Sequence, residues 1–269
     1  MRASKTTSWD LWEVFVMANL LAEGYRRLFK GKRFYIVGIV LIGLTILLTF
    51  MYLMINKMMS SQDVEEFKMT ADSLLMAMNG DMPLFIGITA GMLIVQDFRN
   101  NTIRNKVIIG HSRTNIYLAN WIVSVSVMLI YMFAFYITVL IFGAIMLGFE
   151  EFPSTAIFVN MLHSLAIQLA VTSLIVFLCN TMKNIGGFVL SITMHYIVSM
   201  FSLVLQLMER KYPKLAELTN EAVPSLQMSI IQNYEEIPEH SVRMFVFMFA
   251  ITIVSTVAGI LLFQKSDLK

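Results

Sequence analysis

Few side chains in this chain combine into a reactive set. Gly110-His111-Ser112-Arg113 sets a histidine beside a serine. A nucleophile and its base normally meet through folding, and neighbours in sequence rarely form a triad. There is no G-x-x-x-x-G-K-[ST] stretch; Gly31-Lys32 lacks the upstream glycine and the following Ser or Thr. No H-E-x-x-H and no G-x-S-x-G occurs, and Gly80-Asp81 follows Met78-Asn79, not the glycine of a G-x-G-D protease. The chain is therefore expected not to be an enzyme, with no metal site and no bound cofactor.

Two histidines, His163 and His195, fall near the middle of long apolar runs. A polar group is costly in lipid, so both are expected to face a bundle interior or a cavity. They offer a proton relay or a cargo contact. The structural alternative is interhelical hydrogen bonding with Gln168 or Ser191, and it carries the greater weight. The 22 methionines suit an adaptable cavity, but they serve equally as lipid-facing filler. Cys179, the one cysteine, excludes an intrachain disulfide and reads as a small packed residue.

The richest stretch is Gln96 to Trp121, a polar and basic island between apolar runs. It carries Asp97, Arg99, Arg104, Lys106 and Arg113, with Ile103, Val107 and Ile108 interleaved. That spacing predicts a short helix over 98–112 with a greasy side and a basic side, stopped near Gly110. Arg104 and Lys106 are expected to face the cytoplasm, with Ile103, Val107 and Ile108 offering apolar area to a soluble partner. A solvated loop between spans is the plainer reading of the same charges.

The elements that position these residues follow from composition. Of 269 residues, 57% are hydrophobic and 14% charged, against about a quarter charged in soluble domains. Six apolar runs, about 34–55, 82–96, 116–149, 154–180, 185–208 and 244–263, read as transmembrane helices. The run at 82–96 is short, so it begins earlier or is kinked at Pro83. An amphipathic helix over 9–30 precedes them, with Leu11, Phe15, Ala18, Ala22, Tyr25 and Phe29 on one stripe and Trp9 and Trp12 suited to the headgroup zone. The 209–243 loop has prolines that permit short helices. The fold class is all-α and polytopic, in one domain over 1–269. Fourteen of the twenty lysines and arginines lie in the termini, the basic island and the Lys183 turn, whereas thirteen of the eighteen acids lie in the other loops. The positive-inside rule then puts both termini in the cytoplasm of a multi-pass plasma-membrane protein.

An acid closing a span, followed by this segment, resembles the type-2 ABC transporter permeases. The matching residues are Asp97, Phe98, Asn101, Thr102, Ile103, Arg104, Gly110, Ser112, Arg113, Ile116 and Tyr117, with Asn101 where that family often has glycine. L-L-A-E-G-Y-R-R-L-F-K-G-K-R-F at 20–34 and the six spans fit as well. The resemblance implies a half-transporter: two permease copies form the path, and two ABC ATPase subunits carry ATP and Mg. The 98–112 segment would be the coupling helix, and short helices in 209–243 would dip into the outer leaflet. An exporter of an antimicrobial peptide or drug is the implied branch. A proton-coupled transporter using His163 and His195, or a membrane scaffold or sensor, are the other readings. No nucleic-acid partner is expected.

Overall fold

The computed structural model describes residues 6–60, 68–207 and 211–266. Among them the chain forms helices and their connecting turns, with no strand. In order these are α1 (Thr6–Lys30), α2 (Lys32–Ser60), α3 (Ala71–Ala77), α4 (Met82–Arg99), α5 (Thr102–Ile108), α6 (Arg113–Met146), α7 (Thr155–Met182), α8 (Ile185–Leu207), α9 (Pro213–Ala222), α10 (Pro224–Ile230) and α11 (Ser241–Lys265). Five of them, α2, α4, α6, α7 and α11, are long and apolar enough to cross a membrane. The remaining expected span is α8, a 23-residue helix, about 34 Å long at the α-helical rise. The all-α polytopic class is as the sequence predicts.

α7 is the axis of the bundle. Its apolar window is 67% buried, against 22% for α2 and for α11. It packs against α11, α8 and α6, while α1 and α2 lie on α6. Leu, Ile, Val and Phe side chains of α2, α8 and α11 face outward along their length. That pattern suits lipid, which is as apolar as they are and offers no reward for burying them.

Local chemistry fixes the ends. Ser112 accepts a hydrogen bond from Asn115 N–H at 3.1 Å and starts α6; Ser154 accepts one from Ile157 N–H at 3.3 Å and starts α7. At the acidic end, the buried Asp72 carboxylate accepts from the backbone N–H of Glu150 at 2.8 Å and of Phe152 at 2.9 Å. This ties α3 to the loop joining α6 and α7.

The expected 82–96 span is extended on its N-terminal side. The helical path starts at Ala71, passes a short 3-10 turn over Met78–Gly80, and resumes at Met82, with Pro83 in the first turn. α1 buries Leu20, Gly24 and Leu28 against the bundle. A side chain at Gly24 would meet Val123 Cγ2 at 2.8 Å, so glycine permits this approach. Phe15 and Phe29 of the expected stripe stay exposed. Trp9, Leu11 and Trp12 lie outside the side chains described. α9 and α10 occupy the two stretches where the loop prolines permit helices.

Candidate functional site

Asp97 lies in the last turn of α4. A carboxylate there opposes the helix dipole, yet it is only 2% exposed. Cations from two other elements explain it. Arg27 of α1 forms an ion pair with Asp97, one guanidinium nitrogen donating to Oδ2 at 2.8 Å. Lys106 Nζ of α5 lies 3.1 Å from Glu23 Oε2 and 3.8 Å from Asp97 Oδ2. Glu23 also reaches Arg27 Nε at 3.4 Å. Two acids and two bases thus join α1, the end of α4 and α5. Burial lowers the pKa of both cations. For Lys106 the neighbouring Arg27 charge acts in the same direction, while Glu23 opposes it.

The island helix is shorter than the expected 98–112. Arg99 closes α4, and Asn101 takes a left-handed backbone, φ 56°, which ends one helix before Thr102 begins the next. Asparagine tolerates that conformation better than other non-glycine residues, which accounts for the exchange with glycine here. Gly110, at φ 104°, ends α5 with paired bonds, His111 N–H to the Lys106 carbonyl and Gly110 N–H to that of Val107.

The expected division of faces is corrected. Ile103 is 1% exposed and belongs to the core, Lys106 is buried in the charged junction, and Val107 is partly buried. A turn of α-helix separates Ile103 from Val107, so both follow Lys106 inward. The outer face consists of Arg104, Asn105, Ile108 and Ile109, the last two 72% and 78% exposed. Arg99 is exposed beside them.

Arg113 is turned to another task. Its Nη1 donates to the carbonyls of Phe263, Gln264 and Ser266 at 3.4, 2.9 and 2.5 Å, closing the C-terminus of α11. Ser112 is the cap already described. Tyr117 packs on Phe263 with ring centroids 6.2 Å apart.

Three polar residues of the spans, Ser164, Gln168 and His195, serve a break in the second one. Pro83 has no N–H, so it cannot serve the carbonyl of Asn79 four residues earlier. Gln168 Nε2 donates to that carbonyl at 2.7 Å, and Ser164 donates to the Asn79 side chain at 2.5 Å. Leu84 N–H is used by Asp81, and the Gly80 carbonyl is met by His195 Nε2 at 3.2 Å. The acceptor requires a donor, so the His195 proton sits on Nε2 in this arrangement. His163 is fully buried, with Nδ1 3.1 Å from the Val159 carbonyl and Nε2 3.1 Å from that of Ser241 at the start of α11. Gln168 and His195 thus meet neither each other nor His163; they bridge helices through backbone acceptors. His195 also borders an apolar cavity of about 210 Å³ with Val171, Met194 and Pro224.

Sequence reasoning picked Asp97 and Lys106 and missed their partners Glu23 and Arg27. The one available signal was their i,i+4 spacing on α1. Asn79 and Asp81 stand just before the apolar run at 82–96, and nothing in their spacing marks them as part of the span. The sequence model of the ABC-2 family transporter proteins matches residues 28–202, from the end of α1 into α8. No curated protein matches the chain.

Proposed function

The chain belongs to the ABC-2 transporter family and is a membrane permease component of an ABC transporter; from that premise we propose that two copies line the path of an ATP-driven exporter at the plasma membrane and that a separate ATPase subunit docks on α5. The observation that carries the docking is the pair Ile108 and Ile109. Two large apolar side chains stand out from a polar, basic segment while the rest of their helix is held down by Ile103 and Lys106. An exposed apolar pair with a charged rim is what a protein partner buries at the centre of an interface. The junction of Glu23, Arg27, Asp97 and Lys106 then passes a push on α5 to α1 and α4. The outward apolar face of α8, including Met200 and Phe201, is available to a second copy. Positive-inside counting places α5 and both termini in the cytoplasm, where ATP is. A peptide or drug remains the proposed cargo.

The test is capture of the ATPase subunit by the purified chain. Ile108→Ala with Ile109→Ala should weaken capture at least tenfold, and Arg104→Glu should weaken it less, since rim charges contribute little. Capture at the wild-type level by the Ile108, Ile109 double variant would reject α5 as the docking surface.

A further inference from the structure

A further carboxylate, Asp81, stands at the wall of the bundle without an ion pair among the described residues. Asp81 follows the break between α3 and α4. It is exposed, and among the described residues no side chain donates to its carboxylate and no cation pairs with it. It opens into a cavity of about 310 Å³ lined by Leu44, Leu47 and Leu48 of α2, Phe85 of α4 and Tyr196 of α8.

The level of this cavity follows from helix rise. Asp81 lies 16 residues before Asp97, about 24 Å from the basic end at 1.5 Å per residue. Leu44 to Leu48 lie about 18–24 Å from the start of α2, and Tyr196 about 16 Å from the start of α8. All three estimates fall inside a membrane with a hydrocarbon core of about 30 Å. An ionisable side chain at such a depth is rare and normally finds a partner. The rest of the cavity wall is apolar apart from the Tyr196 hydroxyl, and His195, which lies within electrostatic reach of Asp81, gives its Nε2 to the Gly80 carbonyl.

We infer that Asp81 is the charge-selecting group of a cargo site between α2, α4 and α8, and that the site takes a cation with an apolar body. The carboxylate supplies one negative charge beside an apolar cavity, where an opposite charge is drawn more strongly than in bulk water. The leucines, Phe85 and Tyr196 supply apolar and aromatic surface, and an aromatic face adds to the attraction of a cation. The ligand is thus a hydrophobic cation, such as a basic amphiphilic peptide or cationic drug. This deepens the permease reading and rests on it for the word cargo, but the site itself is tested on the chain alone.

The chain is placed in lipid nanodiscs, and binding of tetraphenylphosphonium is compared with that of tetraphenylborate, nearly the same shape with opposite charge. Empty nanodiscs give the lipid background. The wild-type chain is expected to bind the cation at least tenfold more tightly than the anion. Asp81→Asn should abolish the preference, Asp81→Glu should keep it, and Asp81→Lys should turn it toward the anion. Leu47→Ala with Tyr196→Ala should weaken both probes. Equal binding of the two probes by the wild type, or an unchanged preference in Asp81→Asn, overturns the inference. Loss of self-association in Asp81→Asn without any cation preference in the wild type would also overturn it, by assigning the carboxylate to an ion pair between copies. ATPase capture, read in parallel, fails only if the permease–ATPase reading fails, so the two failures are distinguishable.

Discussion

Gln168 donates its side-chain amide to the carbonyl of Asn79 at 2.7 Å, taking the place of the N–H that Pro83 lacks. The expected consequence is a coupling between positions 168 and 83. Gln168→Leu leaves a buried carbonyl unserved, which costs about 1–3 kcal/mol. Pro83→Ala supplies an N–H of the right spacing, so Gln168→Leu should cost clearly less in that background. Melting of the detergent-solubilised variants measures both. Equal costs with and without Pro83 would show that the amide does not stand in for the missing donor.

Gly259 and Tyr117 make a second close relationship. A Cβ at Gly259 would overlap the Tyr117 hydroxyl and ring, and Tyr117 is fully buried. Gly259→Ala should destabilise the α6–α11 contact by about 1–3 kcal/mol, the usual range for overpacking. Tyr117→Leu should recover much of that loss when combined with it. A wild-type melting temperature for Gly259→Ala alone would mean that the ring yields freely.

The spans were legible because hydrocarbon imposes length and apolarity on a helix, and Ser112, Ser154 and Gly110 announced their caps or stop. The N-terminal extension of the second span was not. Ala71 to Gly80 carries Asp72 and Asn79, which read as loop, and only folding shows that backbone N–H groups of residues 150 and 152 and side chains of α7 satisfy them. The basic island was found, but not its inside and outside. Ile103 and Ile108 are alike as residues; the burial of Ile103 follows from Lys106, whose partner Glu23 lies 83 positions away in the chain. Long-range pairing of this kind leaves no periodic mark in a sequence.

The orientation of the bundle has a direct check. Ile109 and Glu236 are exposed at opposite ends, and Cys179 is buried and removable. In a Cys179→Ser background, a cysteine at Ile109 is expected to resist an impermeant thiol reagent in intact cells and to react after lysis. A cysteine at Glu236 is expected to react in intact cells. The reverse pattern would turn the protein over in the membrane and leave α5 on the side away from ATP.

The charged junction gives the last prediction, because it separates docking from transmission. Asp97 is held by Arg27 and Lys106. Asp97→Asn leaves two cations to share Glu23 alone, so it should cost up to the roughly 3–5 kcal/mol of a broken buried pair. Lys106→Met removes one of those cations and keeps the apolar stem, so it should cost less. With Asp97→Asn it should restore part of the stability, since Arg27 and Glu23 are then left as one balanced pair. Neither change touches Ile108 or Ile109, so ATPase capture is expected to persist in Asp97→Asn. What should fall is the stimulation of ATP hydrolysis by cargo, by tenfold or more, because α5 no longer moves with α1 and α4. Asp97→Glu, which keeps the charge, should retain most of it. Full stimulation in Asp97→Asn would mean that the junction holds the helices together without carrying the movement between them.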